Sequence, residues 1–119
     1  MNLCTKEEFS YPSDFERNFK IINIALPDHK SDKKLKLEEI YNVLQNLNYL
    51  ITLGPTLVHC FAGIERSPLI CIAWLIKNKK ISPQNAFEYV KEVHSSSNPL
   101  PDQLSLLFKK EFMEFSLSQ

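Results

Sequence analysis

The chain has 119 residues, 44% hydrophobic and 24% charged, enough for one domain with a real core. Fourteen basic and fourteen acidic residues cancel to a formal net charge of zero, which gives no electrostatic case for nucleic acid or an anionic membrane as partner. No stretch is long and apolar enough to cross a bilayer, Met1-Asn2-Leu3-Cys4 begins no signal peptide, and three cysteines without a paired pattern suit a reducing cytoplasm.

Leu3-Cys4 reads as the end of a short strand, and Lys6 to Asn18 as loop with one helical turn. Lys20 to Pro27 reads as a buried strand, followed by a loop over Pro27-Asp28-His29-Lys30-Ser31-Asp32. Leu37, Ile40, Leu44, Leu47 and Ile51 then recur at helical spacing until Gly54-Pro55 stops the helix. Thr56-Leu57-Val58-His59 predicts a strand, and Pro68 to Asn78, apolar nearly all round, a central buried helix. Ser82-Pro83 caps the next helix, with Ala86, Phe87, Val90 and Val93 inward. Pro101 opens a last helix carrying Leu104, Leu107, Phe108, Phe112 and Phe115. Strands alternating with helices predict one α/β domain over residues 1–119, with no linker or repeat. The lysine pairs at 33–34, 79–80 and 109–110 read as solvated faces. His29, His59 and His94 have no metal-ligand spacing, so neither a metal nor another cofactor is expected.

The chemistry is concentrated in His59-Cys60-Phe61-Ala62-Gly63-Ile64-Glu65-Arg66-Ser67. A strand-loop-helix turn points backbone N–H groups inward and adds the positive end of a helix dipole, which makes an anion site suited to phosphate. The amides of Phe61, Ala62, Gly63, Ile64, Glu65 and Arg66 are placed to cradle oxygens. Gly63 supplies a turn that a side chain would strain. The Arg66 fork can take two phosphate oxygens at once. Cys60, at the bottom of the cup, has its thiolate favoured by the amides, the helix end and the arginine. His59 is expected to hold the loop backbone rather than to act as a base.

This stretch resembles the phosphate-binding signature of the cysteine-dependent protein tyrosine phosphatases, His-Cys-x-x-Gly-x-x-Arg-Ser, and its Phe-Ala-Gly-Ile filling is most similar to the dual-specificity branch. The resemblance runs from about Asn2 to about Phe108. It implies an α/β fold with a small, mainly parallel sheet flanked by helices. It also implies a phosphatase acting on phosphotyrosine, and on phosphoserine or phosphothreonine, in proteins. Cys60 would be the nucleophile, Arg66 the phosphate clamp, and Ser67 the group that stabilises the departing thiolate. Family members carry a general acid on a loop after a buried strand upstream of the cysteine. Asp28 fits, 32 residues before Cys60, with Asp32 the rival and the expected cap of the following helix. Asn98 and Gln103 resemble polar buttresses of the phosphate loop, or are surface amides. Some members pair the catalytic cysteine with a second one, a role open to Cys4, whereas Cys71 reads as inert packing.

Glu65, a carboxylate inside the loop, departs from the family pattern. So does the front of the chain, where two strands and a helix usually precede the segment resembling Asn2-Leu3-Cys4. These departures keep a second reading, a phosphate-binding module with poor turnover. They also leave Thr56–His59 as an edge strand that needs a cover. Three covers are available: residues 5–19, the aromatic segment around Phe112 and Phe115, and a second copy of the chain. Monomer and homodimer both stay open. Expected partners are a phosphorylated protein or peptide and inorganic phosphate or another oxyanion. The neutral Phe61 and Ile64, beside Glu65, disfavour a phosphoinositide.

Overall fold

In the computed structural model, residues 1–5 and 7–118 are described; Lys6, first residue of the expected N-terminal loop, and Gln119 lie outside them. Six α-helices follow in order among the described residues: α1 (Phe15–Asn18), α2 (Leu37–Leu53), α3 (Arg66–Lys79), α4 (Pro83–Val93), α5 (Pro101–Leu104) and α6 (Lys110–Leu117). A 3-10 turn, Ser105–Phe108, separates the last two. The single C-terminal helix expected from Pro101 is thus broken into three. The chain leaves helical geometry at Lys109, whose backbone is extended.

The expected sheet is reduced to its minimum. Among the described residues no extended strand forms, but two parallel bridges join Asn2 to Asn23 on one side and to His59 on the other. Residues 1–4 are therefore the middle of three parallel segments. Asn2 N–H donates to Ile22 O at 2.9 Å, and Ile24 and Leu26 donate back to Asn2 and Leu3. On the other flank Leu3 donates to His59 O and His59 to Met1 O. The 20–27 segment is not buried on both faces as expected. Only Leu26 is buried in its middle, while Asn23 and Ala25 are exposed, because it lies at an edge.

The core sits between these segments and the helices. Leu3 and Cys4 are fully buried, in one hydrophobic cluster with Ile40, Val43 and Leu44 of α2 and Leu69, Ile70, Ile72 and Ala73 of α3. The hydrophobic stripe of α2 holds up to Leu50, but Ile51 is exposed past the end of the core. Ser82 caps α4 through Asn85 N–H at 3.1 Å, as read from Ser-Pro. Val93, expected inward, is exposed and lines an apolar cavity with Leu47 and Trp74. Asp32 caps nothing. It is exposed, and α2 begins later, at Leu37, with Glu39 accepting the Lys36 N–H.

The 56–59 edge is only partly covered. Phe9 and Tyr11 reach His59, with ring centroids 5.2 and 5.6 Å away. The C-terminal aromatics go elsewhere: Phe112 is fully buried and Phe115 stacks on Tyr41 with centroids 3.9 Å apart. Backbone N–H and C=O of Val58 have no hydrogen-bond partner among the described residues. An apolar cavity of about 580 Å³ runs beside them, lined in part by Leu47, Trp74, Tyr89 and Val93. Of the two covers within the chain, residues 11–19 lie beside Thr56, Leu57 and His59 and the Phe112–Phe115 segment lies elsewhere, so neither pairs with the Val58 backbone among the described residues.

No helix among the described residues is long and apolar enough to cross a membrane. Phe112 anchors the C-terminal segment to the core, so Phe112→Ala should destabilise the fold by about 3–5 kcal/mol, read as a lowered urea midpoint with an unchanged slope.

Candidate active site

Residues 60–66 leave the His59 bridge and turn into α3, as the sequence predicts. Gly63 has φ +70°, the left-handed geometry that makes glycine the natural residue there. Space is not the reason, since an added Cβ would meet only His94 Nε2, at 3.8 Å. His94 Nε2 contacts Gly63 O at 3.1 Å, and Asn98 N–H donates to Ile64 O at 2.7 Å. The loop is thus braced from behind by the segment after α4. Asn98 contributes its backbone, with its side chain exposed. Gln103 is buried and donates from Nε2 to Pro27 O at 2.9 Å, so it braces the acid loop and not the phosphate loop.

Cys60 is buried, with its Sγ 3.6 Å from Ser67 Oγ. Burial opposes its thiolate. The Ser67 N–H and hydroxyl, with the N–H groups of Gly63 and Arg66, outweigh that and hold the thiol below its ordinary value. His59 bonds through Nε2 to the Tyr11 hydroxyl. Burial lowers its pKa, although a hydrogen bond with the Cys60 backbone works the other way. That leaves a neutral ring tied to both neighbours, consistent with a holding role. A cavity of about 590 Å³ opens above Cys60 and brings together Asp28, Glu65, Arg66 and Glu8. Asp32 does not line it.

Arg66 is 4% exposed. Its Nη1 donates to Glu8 Oε1 at 3.0 Å and to the carbonyls of Leu3 and Leu26 at 3.3 and 3.2 Å. Nη2 meets Glu8 Oε2 at 2.8 Å and Cys4 Sγ at 3.9 Å. The fork expected to face phosphate is therefore held by Glu8, leaving Nε as the guanidinium nitrogen without a hydrogen bond among the described residues. Glu8 was missed in the sequence, although Thr5-Lys6-Glu7-Glu8 has capping-box spacing. The reciprocal bonds form, Thr5 N–H to Glu8 Oε1 at 3.0 Å and Glu8 N–H to Thr5 Oγ1 at 3.3 Å. His94 was also missed, and nothing in its surroundings in sequence marks it. Cys4, Cys60 and Cys71 are all free thiols. Burial raises Cys4 and Cys71, leaving Cys60 as the activated one.

A family model described as "Dual specificity phosphatase, catalytic domain" matches residues 1–113. The chain belongs to that family. Dual specificity protein phosphatase 1-B of Xenopus laevis is 34% identical over 89 residues, which are 74% of this chain and 24% of that protein. The chain thus spans about a quarter of such a curated relative's length. A crystal structure of Tk-PTP in the active form matches with TM-score 0.78 at 23% identity, over 95% of this chain and 76% of that one. PTPMT1 in complex with PI(5)P matches with TM-score 0.76 at 24% identity, over 98% and 74%. These likenesses establish a phosphatase-like fold around the cavity.

Glu8 gives the site an acid-sensitive joint. The side-chain hydrogen bond from Arg66, helped by the Thr5 N–H, lowers the Glu8 carboxyl from 4.5 to about 2. A depressed folded pKa contributes stability that is full above the unfolded value and disappears as pH falls through the folded one. Glu8→Gln should therefore be less stable than wild type at pH 6, and the gap should narrow below about pH 4.5 and close toward pH 2. Thermal midpoints of the two proteins across that range check it.

Proposed function

We propose that residues 1–119 act as a single catalytic domain hydrolysing phosphate monoesters in proteins through a cysteinyl-phosphate. The observation that carries this is one cavity holding a thiol with depressed pKa, a buried guanidinium and a carboxyl on a facing loop. The Cys60 thiolate attacks phosphorus in line, the P–O bond to the leaving group breaks, and Asp28 gives its proton to the departing oxygen. The amides of residues 61–66 and Arg66, through Nε and whatever of the fork Glu8 yields, hold the equatorial oxygens. Asp28 then takes a proton from water, which attacks phosphorus and releases inorganic phosphate. Ser67, 3.6 Å from the sulfur, stabilises the thiolate that departs. The three parallel segments, joined by two bridges, stand where the family's small parallel sheet would carry the loop. A reducing compartment such as the cytoplasm keeps Cys60 as a thiolate.

Cys60→Ser should abolish turnover while phosphate or vanadate still binds, and Arg66→Lys should be nearly as damaging, since a point charge cannot reproduce the fork. The alternative reading, a phosphate-binding module with poor turnover, requires the rate of wild type on an aryl phosphate to stay close to that of Cys60→Ser. Asp28→Ala should slow substrates with poor leaving groups by roughly 10²–10⁴, and Asp32→Ala should not.

The cavity also suits a phosphopeptide better than a phosphoinositide. Glu7, Glu8, Asp28 and Glu65 line it against Lys30 and Arg66, and this excess of carboxylates repels a headgroup with further phosphates. Faster release of phosphate from a phosphotyrosine peptide with basic flanks than from PI(5)P in mixed micelles is the expected result. The reverse order would make the lipid the substrate.

A further inference from the structure

Glu65 is the one charged side chain between Cys60 and Arg66, and it stands at the rim of a loop meant for a phosphate dianion. A carboxylate there works against binding unless it has another task. Its geometry shows one. Glu65 Oε2 lies 2.8 Å from His29 Nδ1, and Glu65 Oε1 accepts the His29 backbone N–H at 3.3 Å. Both oxygens thus grip the residue next to Asp28.

The loop they grip has little else to hold it. Its base is tied down, with Pro27 O taken by Gln103 and Leu26 O by Arg66. Beyond Pro27 its hydrogen bonds are internal: Lys30 N–H to Asp28 Oδ1 at 2.9 Å, Ser31 N–H to Asp28 O at 3.1 Å, and Lys33 N–H to Ser31 Oγ at 3.1 Å. Among the described residues, Glu65 makes the only hydrogen bonds from elsewhere in the chain to residues 28–33. A loop held only by local turns samples several placements, and a general acid is effective only where it reaches the leaving oxygen. The His29 ring is largely exposed, so the charge on the imidazole is secondary. The Nδ1–H contact holds as an ion pair or as a neutral hydrogen bond.

We propose that Glu65 and His29 form a clasp between the phosphate loop and the acid loop, and that they are positioning residues for Asp28. The clasp rests on the phosphatase reading above. It reconciles the departure of Glu65 from the family signature with a working site: the carboxylate is turned across the mouth, with both oxygens taken up by the loop it holds.

The test compares phenyl phosphate, whose leaving group needs a proton, with p-nitrophenyl phosphate, whose leaving group needs it less. Glu65→Ala and His29→Ala should each lower kcat on phenyl phosphate by roughly three- to tenfold, with KM on both substrates little changed and a much smaller loss on p-nitrophenyl phosphate. Glu65→Gln, which keeps an acceptor for the His29 N–H, should recover part of the loss. In an Asp28→Ala background, Glu65→Ala should change nothing further. Equal losses on both substrates, or a full further loss without Asp28, would mean that Glu65 acts on the phosphate loop itself and would overturn the clasp. Amide hydrogen exchange gives a second reading that needs no turnover. The His29 amide should exchange faster in Glu65→Ala than in wild type, and unchanged exchange would also overturn the proposal. If wild type shows no Cys60-dependent turnover, the phosphatase reading fails, and the clasp is decided by that exchange alone.

Discussion

Arg66 carries a permanent charge at a position that water barely reaches, and the front of the fold is arranged around satisfying it. Its Nη atoms meet the Leu3 carbonyl at the end of the central segment, the Leu26 carbonyl at the end of the edge segment, and both oxygens of Glu8. One side chain therefore fixes the relative height of the first residue of α3, the central segment and the base of the acid loop. The paired carboxylate matters as much as the carbonyls. Removing it would leave a buried charge with only neutral acceptors, a far larger cost than losing a surface pair. Because Glu8 is itself held by Thr5 in a reciprocal turn, the guanidinium is fixed in place before any ligand arrives.

That arrangement divides the labour at the site. The sulfur is activated by what is close to it, the Ser67 hydroxyl and the amides of Ser67, Gly63 and Arg66. The guanidinium is fixed from below by backbone and Glu8. The loop between them is braced from behind by His94 and by the Asn98 amide, so the cup keeps its shape although it contains a left-handed glycine. The acid loop, by contrast, is firm at Pro27 and loosely attached beyond it. For the proposed reaction, a rigid cup facing a lightly tethered Asp28 is a physically sensible combination. Oxyanion contacts must be set in advance to lower a barrier, whereas the acid must let substrate in and product out.

The sequence carried the site better than it carried the sheet. The nine residues from His59 to Ser67 announce a strand-loop-helix because a buried cysteine, a glycine and an arginine at that spacing have few other uses. The family match over residues 1–113 bears the resemblance out. The helices were legible from apolar periodicity, down to the Ser82 cap. The strands were less so. Lys20 to Pro27 reads as apolar, but at an edge only Leu26 has to be buried, and burial at an edge is not written in composition. The break at Lys109 was invisible, because nothing in Phe108-Lys109-Lys110 forbids a helix and the turn is set by tertiary packing of Leu107 and Phe112. Asp32 looked like a cap because aspartates often are, yet the helix starts too far on. Glu8 was readable as a capping box and went unread, because the partner that gives it meaning is 58 residues away.

Thr56–His59 shows how one segment can be well determined on one side and undetermined on the other. Toward residues 1–4 its hydrogen bonds are made, through Leu57 O, His59 N–H and His59 O. Away from them, Val58 offers a donor and an acceptor to an apolar cavity bounded by Trp74 and Tyr89. Cys60, at the end of this segment, does not depend on that side. Cys60 is placed by the bridge at His59, by the ring of His59 held on Tyr11, and by α3, all of which lie inward or above. The loop can therefore keep its geometry while the outer edge stays open. Strain or mobility at Val58 would have to pass through His59 before reaching the sulfur, and the His59 ring is held by Phe9 and Tyr11.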